Sequence, residues 1–247
     1  MNFRGLWCCA FLLAIVVFSA EVRQAQAQAH SSSSPANPVR RSAPSPGSSI
    51  DVGAVVDGIY RNKSFGFTCK IPAGWVLRTD EMNAEDENQD QAANNPNPDN
   101  QAQPPTPRRD TKDTPASSQN ARGRVLLAAF SRPPEARGEE VNSSIVIAAE
   151  PVATYPGLKE AAQYFGPLTE VATAQGFTVD EEPYEIAIGK KTLVRGDFHK
   201  DVGTRVMRQS TLVMLAHGFA VSITLIAGTE DDVEDLIDGL DFTANKK

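Results

Sequence analysis

Three side chains able to take part in acid–base chemistry alternate along the segment TLVRGDFH. Arg195, Asp197 and His199 are two residues apart, so a β-strand would point all three to the same face. Arg205 and Arg208 follow in the next apolar segment, and a hairpin would bring that segment alongside the first. Such a set could bind an anion, dock a protein, or form a small hydrolase site with His199 as the base. The simpler interpretation is a solvated sheet face crossed by ion pairs, each worth about 0.2–1 kcal/mol.

Other chemistry-bearing patterns are missing from the sequence. It holds no signature of serine hydrolases, zinc proteases, P-loop NTPases or dinucleotide-binding proteins. His30, His199 and His217 are the three histidines, too few without cysteine partners to indicate a zinc site. The acids at 230–235 lack the spacing of a calcium loop and suit the first turn of a helix. We therefore predict no catalytic residue, no cofactor and no metal site.

The segment FGFTCKIPAGW offers one further candidate, Trp75, as an exposed anchor for protein docking or as a core side chain. Apolar side chains occupy every second position before it, namely Phe65, Phe67, Cys69 and Ile71. Period-two alternation predicts a strand with these four side chains in the core, and with Gly66, Thr68 and Lys70 on the other face. Pro72 lacks an N–H donor and Gly74 permits unusual φ angles, so the strand should end there.

The N-terminus has the pattern of an export signal. LWCCAFLLAIVVFSA is an apolar run of about 15 residues that follows Arg4, and the small residues of AQAQAH come after it. We predict a signal peptide over residues 1–29 and a periplasmic or secreted protein; the alternative is a leader retained as an anchor. Cys8 and Cys9 lie within this leader, so an exported chain would keep Cys69 alone and form no internal disulfide. A buried Cys69 would be inert.

Two segments have the composition of disordered chain. Residues 30–49 are dominated by Ser and Pro, and residues 82–120 by Asn, Gln, Pro and acids, so neither can bury enough apolar surface to offset the entropy of ordering. We predict a tether over 30–49 and, over 82–120, a disordered insertion that is either a spacer or a partner-binding segment. The remainder of 50–247 forms one domain with about 150 ordered residues.

Hydrophobic periodicity places strands before and after a helix, and a second helix at the end. GLKEAAQYFGPLTEVATAQG is helical in pattern, with a break at Gly166-Pro167 and an end at Gly176. Hairpin strands follow, and FAVSITLIA predicts a half-buried antiparallel strand. TEDDVEDLIDGLDF predicts a helix capped by Thr229. Because helices and strands do not alternate regularly, the fold class is α+β, an antiparallel sheet with helices packed against it.

These pieces together resemble the PsbP-like domain family. YRNKSFGFTCKIPAGW is similar to the opening aromatic hairpin of that family, which ends in Pro-x-Gly-Trp, and the later helix, hairpins and closing helix follow in the same order. The resemblance covers most of the roughly 150 ordered residues. It implies the α-β-α sandwich shared with a Ran-binding nuclear import factor and with exported bacterial relatives of unknown function. It also implies a non-enzymatic module that docks on other proteins.

The sequence thus favours an exported bacterial binding or assembly module at the cell envelope. Its partner would be another envelope or secreted protein, without stable membrane insertion once the leader is removed. A net charge of −7 without a basic cluster argues against nucleic acid as a partner. Two alternatives remain open: a small hydrolase that uses Arg195, Asp197 and His199, and a passive envelope protein that acts through its insertion.

Overall fold

The computed structural model describes residues 50–85 and 123–242, except 137 and 139. The predicted signal peptide and tether, and all of the predicted insertion after residue 85, lie outside the described residues. The strands of the described part are β1 (Ala54–Val56), β2 (Ile59–Asn62), β3 (Phe67–Lys70), β4 (Val76–Leu77), β5 (Arg124–Phe130), β6 (Ser144–Pro151), β7 (Thr178–Val179), β8 (Tyr184–Ile188), β9 (Lys191–Val202), β10 (Arg205–Ala216), β11 (Phe219–Ala227) and β12 (Leu240–Asp241). The helices are α1 (residues 79–85), α2 (Phe165–Ala174) and α3 (Glu230–Asp238).

The strands form two antiparallel sheets. The large sheet has the order β4-β5-β6-β11-β10-β9-β7, and β8 also pairs with β9. The small sheet has the order β1-β2-β3-β12, so the last described strand pairs with one of the first described strands. The predicted α+β class with an antiparallel sheet and packed helices is confirmed.

Helices and the small sheet cover both faces of the large sheet. On the side that we call the first face, Phe67 of the small sheet and Leu236 of α3 pack with Leu193 of β9. On the opposite side, the second face, α2 packs with Val194, the next residue of β9. Helix α1 lies on the second face as well. Its Met82 packs with Val146 of β6, whose neighbours Ile145 and Ile147 point to the first face. Period-two alternation therefore divides the core into layers.

The segment FGFTCKI has the predicted orientation. Phe65, Phe67, Cys69 and Ile71 are buried, Gly66 and Thr68 are half-buried, and Lys70 is exposed. Strand β3 ends at Lys70, and a turn follows in which Gly74 has φ +84°. The phenyl rings of Phe67 and Phe242 stack with their centroids 5.2 Å apart, so Phe242 packs against this strand.

Strand β11 differs from the prediction of a half-buried strand. Its residues alternate as expected, but after Phe219 every residue is buried on both faces. Ala220 and Ile226 pack in the same apolar cluster as α2, so the second face is covered by helix rather than by water near both ends of this strand. Ser222 and Thr224 suggested solvent exposure because small polar residues are ordinarily exposed.

The predicted helix before β7 is divided in two. A 3-10 helix covers Ala161–Tyr164, and α2 begins immediately after it at Phe165. Pro167 lies in the first turn of α2, where its missing N–H needs no partner, so the predicted break falls slightly earlier than the Gly-Pro pair. Gly196 of β9 permits α2 to approach, because a Cβ atom there would lie 2.4 Å from Cε1 of Phe165.

The insertion starts later than predicted. Residues 79–85 are helical, and the side chain of Met82 is 3 % exposed. Asn83 fastens α1 to β5, because its amide group donates to the carbonyl oxygen of Val125 and accepts from the N–H of the same residue. The boundary at 82 was wrong because the Asn- and acid-rich composition of the segment outweighed one apolar residue.

Helix α3 begins as predicted. The hydroxyl of Thr229 accepts a hydrogen bond from the N–H of Asp232, and three acids lie in the first turn, where the helix dipole favours negative charge. Val233, Leu236 and Ile237 form the buried stripe. Within the described ranges, α3 and the other helices fall short of the length and apolarity that a membrane-crossing helix needs.

Candidate functional site

The candidate residues of the first face lie on two neighbouring strands. In the register of β9 and β10, Arg208 is opposite His199 and Ser210 is opposite Asp197. Arg195, Asp197 and His199 therefore share a face, as predicted. Arg205 does not join them. It lies at the hairpin end opposite Val202, three residues from Arg208 along the strand, and so faces the other side of the sheet.

Asp197 is the centre of the first polar group, which we call the Asp197 cluster. Its carboxylate oxygens accept hydrogen bonds from Nε of Arg195 at 2.9 Å, from the hydroxyl of Tyr184 at 3.0 Å and from the hydroxyl of Ser210 at 2.6 Å. The three donors come from β8, β9 and β10. The cluster therefore joins three strands, and three donors already occupy this one carboxylate.

Arg195 extends the Asp197 cluster to the covering helix. Its Nη2 atom lies 2.6 Å from Oε1 of Glu234 on α3, and its guanidinium is 5.9 Å from the ring centroid of Tyr184. Burial alone would lower the pKa of Arg195, but the hydrogen bonds to Glu234 and Asp197 outweigh it and raise that pKa. Burial, reinforced by the charge of Asp197, raises the pKa of Tyr184 to about 12. Both groups stay protonated at neutral pH and act as donors.

His199 belongs to a second group, the His199 cluster. Its Nδ1 atom contacts Oδ1 of Asp180, and Nη1 of Arg208 lies 3.6 Å from Oδ2 of the same carboxylate. The imidazole thus pairs with Asp180 and not with Asp197, which the hydrolase alternative had grouped with it. In the described part of the chain, no hydroxyl or thiol is hydrogen-bonded to His199. The arrangement can orient an imidazole, and it holds the Asp180 carboxylate beside the Arg208 guanidinium at a half-exposed surface.

Trp75 and Cys69 belong to the core rather than to either cluster. Trp75 is half-buried after the turn that ends β3, and it packs against the main apolar cluster. Cys69 is fully buried, and this burial raises the pKa of its thiol to about 12. Because only the thiolate is reactive, a thiol with this pKa is inert at neutral pH, in line with the prediction.

Sequence reasoning missed four members of the two clusters, namely Asp180, Tyr184, Ser210 and Glu234. Ser210 could have been predicted from the sequence, because the correct hairpin register places this residue opposite Asp197. Glu234 and Asp180 carried no such signal, since a helix and a turn reach the sheet through tertiary packing. No group of three or more His, Cys, Asp or Glu side chains in residues 50–85 and 123–242 is placed to hold a metal ion.

Comparisons with known proteins give distant structural likenesses. No family model and no curated protein matches the sequence. A putative regulator of unknown function from Pseudomonas aeruginosa is 20 % identical over 40 % of this chain and 67 % of that one, with a TM-score of 0.30. LpqN of Mycobacterium tuberculosis, described as involved in cell envelope biogenesis, is 12 % identical over 70 % of this chain and 76 % of its own, with a TM-score of 0.31.

A third solved structure, from Bacteroides thetaiotaomicron, is 10 % identical over 74 % of this chain, with a TM-score of 0.33. This chain spans 46 % of the length of that protein. TM-scores this low assign neither a family nor a function, so the resemblance to PsbP-like domains stays a prediction.

Proposed function

We propose that this chain is an exported bacterial protein whose folded domain binds another protein at the cell envelope and catalyses no reaction. One observation carries the proposal: the side chains best suited to chemistry are bonded to one another across structural elements. Asp197 holds three donors from three strands, and Arg195 ties β9 to α3. A general base needs a free lone pair within reach of its substrate's proton, and Asp197 has committed its oxygens to the fold.

The sequence supports the export part of the proposal. An apolar run with small residues after it precedes a Ser/Pro-rich segment, the usual order of a signal peptide and a tether. A domain held by such a tether would present its exposed surface to neighbouring envelope proteins. The PsbP-like resemblance points in the same direction, because it implies a docking module.

The hydrolase alternative depends on the His199 cluster. His199 and Asp180 form the base and its orienting carboxylate, two of the three parts of a catalytic triad. Arg208 shares the Asp180 carboxylate, and a hydroxyl nucleophile is missing from the hydrogen-bond partners of His199 in the described residues. The three side chains therefore fit a hydrogen-bonded group at the surface of the sheet better than a site for nucleophilic attack.

Fractionation and capture test the proposal together. The full chain carrying a C-terminal tag should appear in the periplasmic or secreted fraction of a bacterial host, whereas a variant lacking residues 2–29 should stay in the cytoplasm. Cross-linking in the envelope, followed by capture through the tag, should give a discrete partner for the full chain alone. Cytoplasmic retention of the full chain contradicts the export part of the proposal.

Two variants separate the alternatives. Deletion of residues 86–120 leaves α1 intact, and capture of the partner should survive it; loss of capture would assign the function to the insertion. The purified chain should show no hydrolysis of ester or amide substrates above that of a His199→Ala variant. A turnover that His199→Ala abolishes would make the protein an enzyme and would overturn the proposal.

A further inference from the structure

A row of buried polar side chains crosses the second face of the large sheet. We call it the polar strip, and its members on β6, β10 and β11 are Ser144, Gln209, Thr211, Ser222 and Thr224. Thr211 lies opposite Thr224, and Thr224 lies opposite Val146 on the next strand. Val146 belongs to the apolar cluster under α1, whereas Ile226 belongs to the cluster under α2. The polar strip therefore lies where these two clusters meet without merging.

Hydrogen bonds within the polar strip are incomplete. Nε2 of Gln209 donates to the hydroxyl of Thr211, and the hydroxyls of Thr211 and Thr224 lie 3.3 Å apart. Oε1 of Gln209 and the hydroxyl of Ser144 have no hydrogen-bond partner among the described residues. These two side chains are 3 % and 0 % exposed. A buried polar atom without a partner costs about 1–3 kcal/mol, so native proteins rarely leave one.

The fold does not require polar residues at these positions. Val213 and Ala148 flank Ser222 in the same cross-strand row and are buried on the same face. Alanine in place of Ser144, or methionine in place of Gln209, would keep nearly the same volume and would remove the two unpaired atoms. Polar groups that lower stability and satisfy no structural need are typical of binding sites.

We propose that the polar strip is the floor of a binding site for a small uncharged molecule rich in hydroxyl groups. The five members carry no charge, so the strip offers no counter-ion to a charged ligand. Oε1 of Gln209 can only accept, and the Ser and Thr hydroxyls can donate or accept, which matches the two-way hydrogen bonding of a ligand hydroxyl. The apolar clusters on either side would contact the C–H groups of the same ligand.

This ligand site is independent of the partner protein proposed above. It lies on the opposite face of the sheet from the Asp197 and His199 clusters. The nearby carboxylate of Glu150, also on the second face, accepts a hydrogen bond from the hydroxyl of Tyr155 and so does not belong to the unpaired groups of the strip.

A methyl NMR titration of the purified chain tests the site, with glycerol, glucose and N-acetylglucosamine as probes. Each probe is raised to about 50 mM, since a small ligand with few hydrogen bonds binds in the millimolar range. At least one probe should give saturable shifts of the Thr211, Thr224, Val146 and Ile226 methyl signals. Signals from the first face, such as those of Leu193 and Leu212, should stay in place.

Two matched variants decide the result. Thr224→Val removes one hydroxyl from the polar strip and should weaken binding about tenfold, the effect of one lost hydrogen bond. Thr178→Val makes the same change on exposed β7 and should leave affinity within about twofold. Ser144→Ala serves as the strip variant if Thr224→Val does not fold. Shifts that do not saturate, or that persist unchanged in the strip variant, overturn the proposal. The absence of shifts with all three probes also overturns it, and would mean that the unpaired atoms bind ordered water alone.

Discussion

Ser210 and Ser144 are both fully buried serines of the large sheet, one on each face. Ser210, on the first face, donates a hydrogen bond of 2.6 Å to Asp197, which also accepts from Arg195 and Tyr184. Ser144, on the second face, has no partner among the described residues. The same residue type thus completes a network on one face and leaves an unpaired atom on the other. The comparison separates polar groups that hold the domain together from polar groups whose presence the fold does not explain.

The covering layers explain part of this difference. A helix with charged residues lies over the Asp197 cluster, and its Glu234 supplies the partner that Arg195 needs. The helices on the second face have apolar buried sides, with Phe165, Leu168 and Val171 on α2 and Met82 on α1, and they pack in the two clusters beside the polar strip. Apolar side chains can exclude water from a polar group, but they cannot satisfy its hydrogen bonds.

The largest effect should come from opening the layer over the first face. Phe67→Ala removes a ring that is 3 % exposed and stacked on Phe242, and it should lower the free energy of unfolding by roughly 3–5 kcal/mol. Lys70→Ala, on the exposed side of the same strand, should lower it by well under 1 kcal/mol, since surface changes usually do little (about 0.5 kcal/mol). Urea melts of both variants measure the difference. A larger loss for Lys70→Ala would mean that this strand faces the other way.

A smaller but still substantial loss is expected for Arg195→Met. The substitution keeps most of the side-chain volume and leaves Asp197 and Glu234 without their cation. Breaking a fully buried pair costs about 3–5 kcal/mol, and the half-exposed carboxylate of Glu234 reduces this to about 2–3 kcal/mol. Arg205→Met, at an exposed position of β10, is the control and should be close to neutral. Equal effects of the two variants would show that the Asp197 cluster contributes nothing to stability.

The smallest effects should have opposite signs in the two buried serines. Ser210→Ala removes a donor to a carboxylate and should destabilise the domain by about 1–3 kcal/mol. Ser144→Ala removes an unpaired hydroxyl and should be neutral or stabilising by up to about 1 kcal/mol. Thermal and urea unfolding of both variants test the comparison directly. Destabilisation by Ser144→Ala as large as that by Ser210→Ala would show that the Ser144 hydroxyl has a structural partner, and the polar strip would then need no ligand.

Local patterns predicted the parts of the fold that depend on neighbouring residues. Alternation along FGFTCKI gave the buried face of β3, and Thr229 with the acids after it gave the start of α3. The shared face of Arg195, Asp197 and His199 also follows from alternation alone. Each of these features depends on residues only a few positions apart, so the local sequence is enough to predict it.

Features that depend on distant packing were missed. Strand β11 was predicted to be half-buried because nothing in its own residues shows that α2 covers the second face. Asp180, in the turn after β7, pairs with His199, and nothing in the residues of β9 indicates this partner. Met82 became part of the core through contacts with β5 and β6 across the predicted insertion. In each case the deciding neighbour is far away along the chain, where periodicity carries no information.

The pairing of β12 with β3 in the small sheet constrains the order of folding. Strand β12 joins Leu240 to Cys69 on β3, so the first and last parts of the domain complete the same sheet. A chain with such distant pairings closes slowly, because the loop entropy is lost before the contacts form. Until residues 240–242 are available, Phe67 lacks its stacking partner and the first face lacks part of its cover. If the chain is exported as proposed and emerges amino end first, the domain would be unable to finish folding until residues 240–242 had crossed.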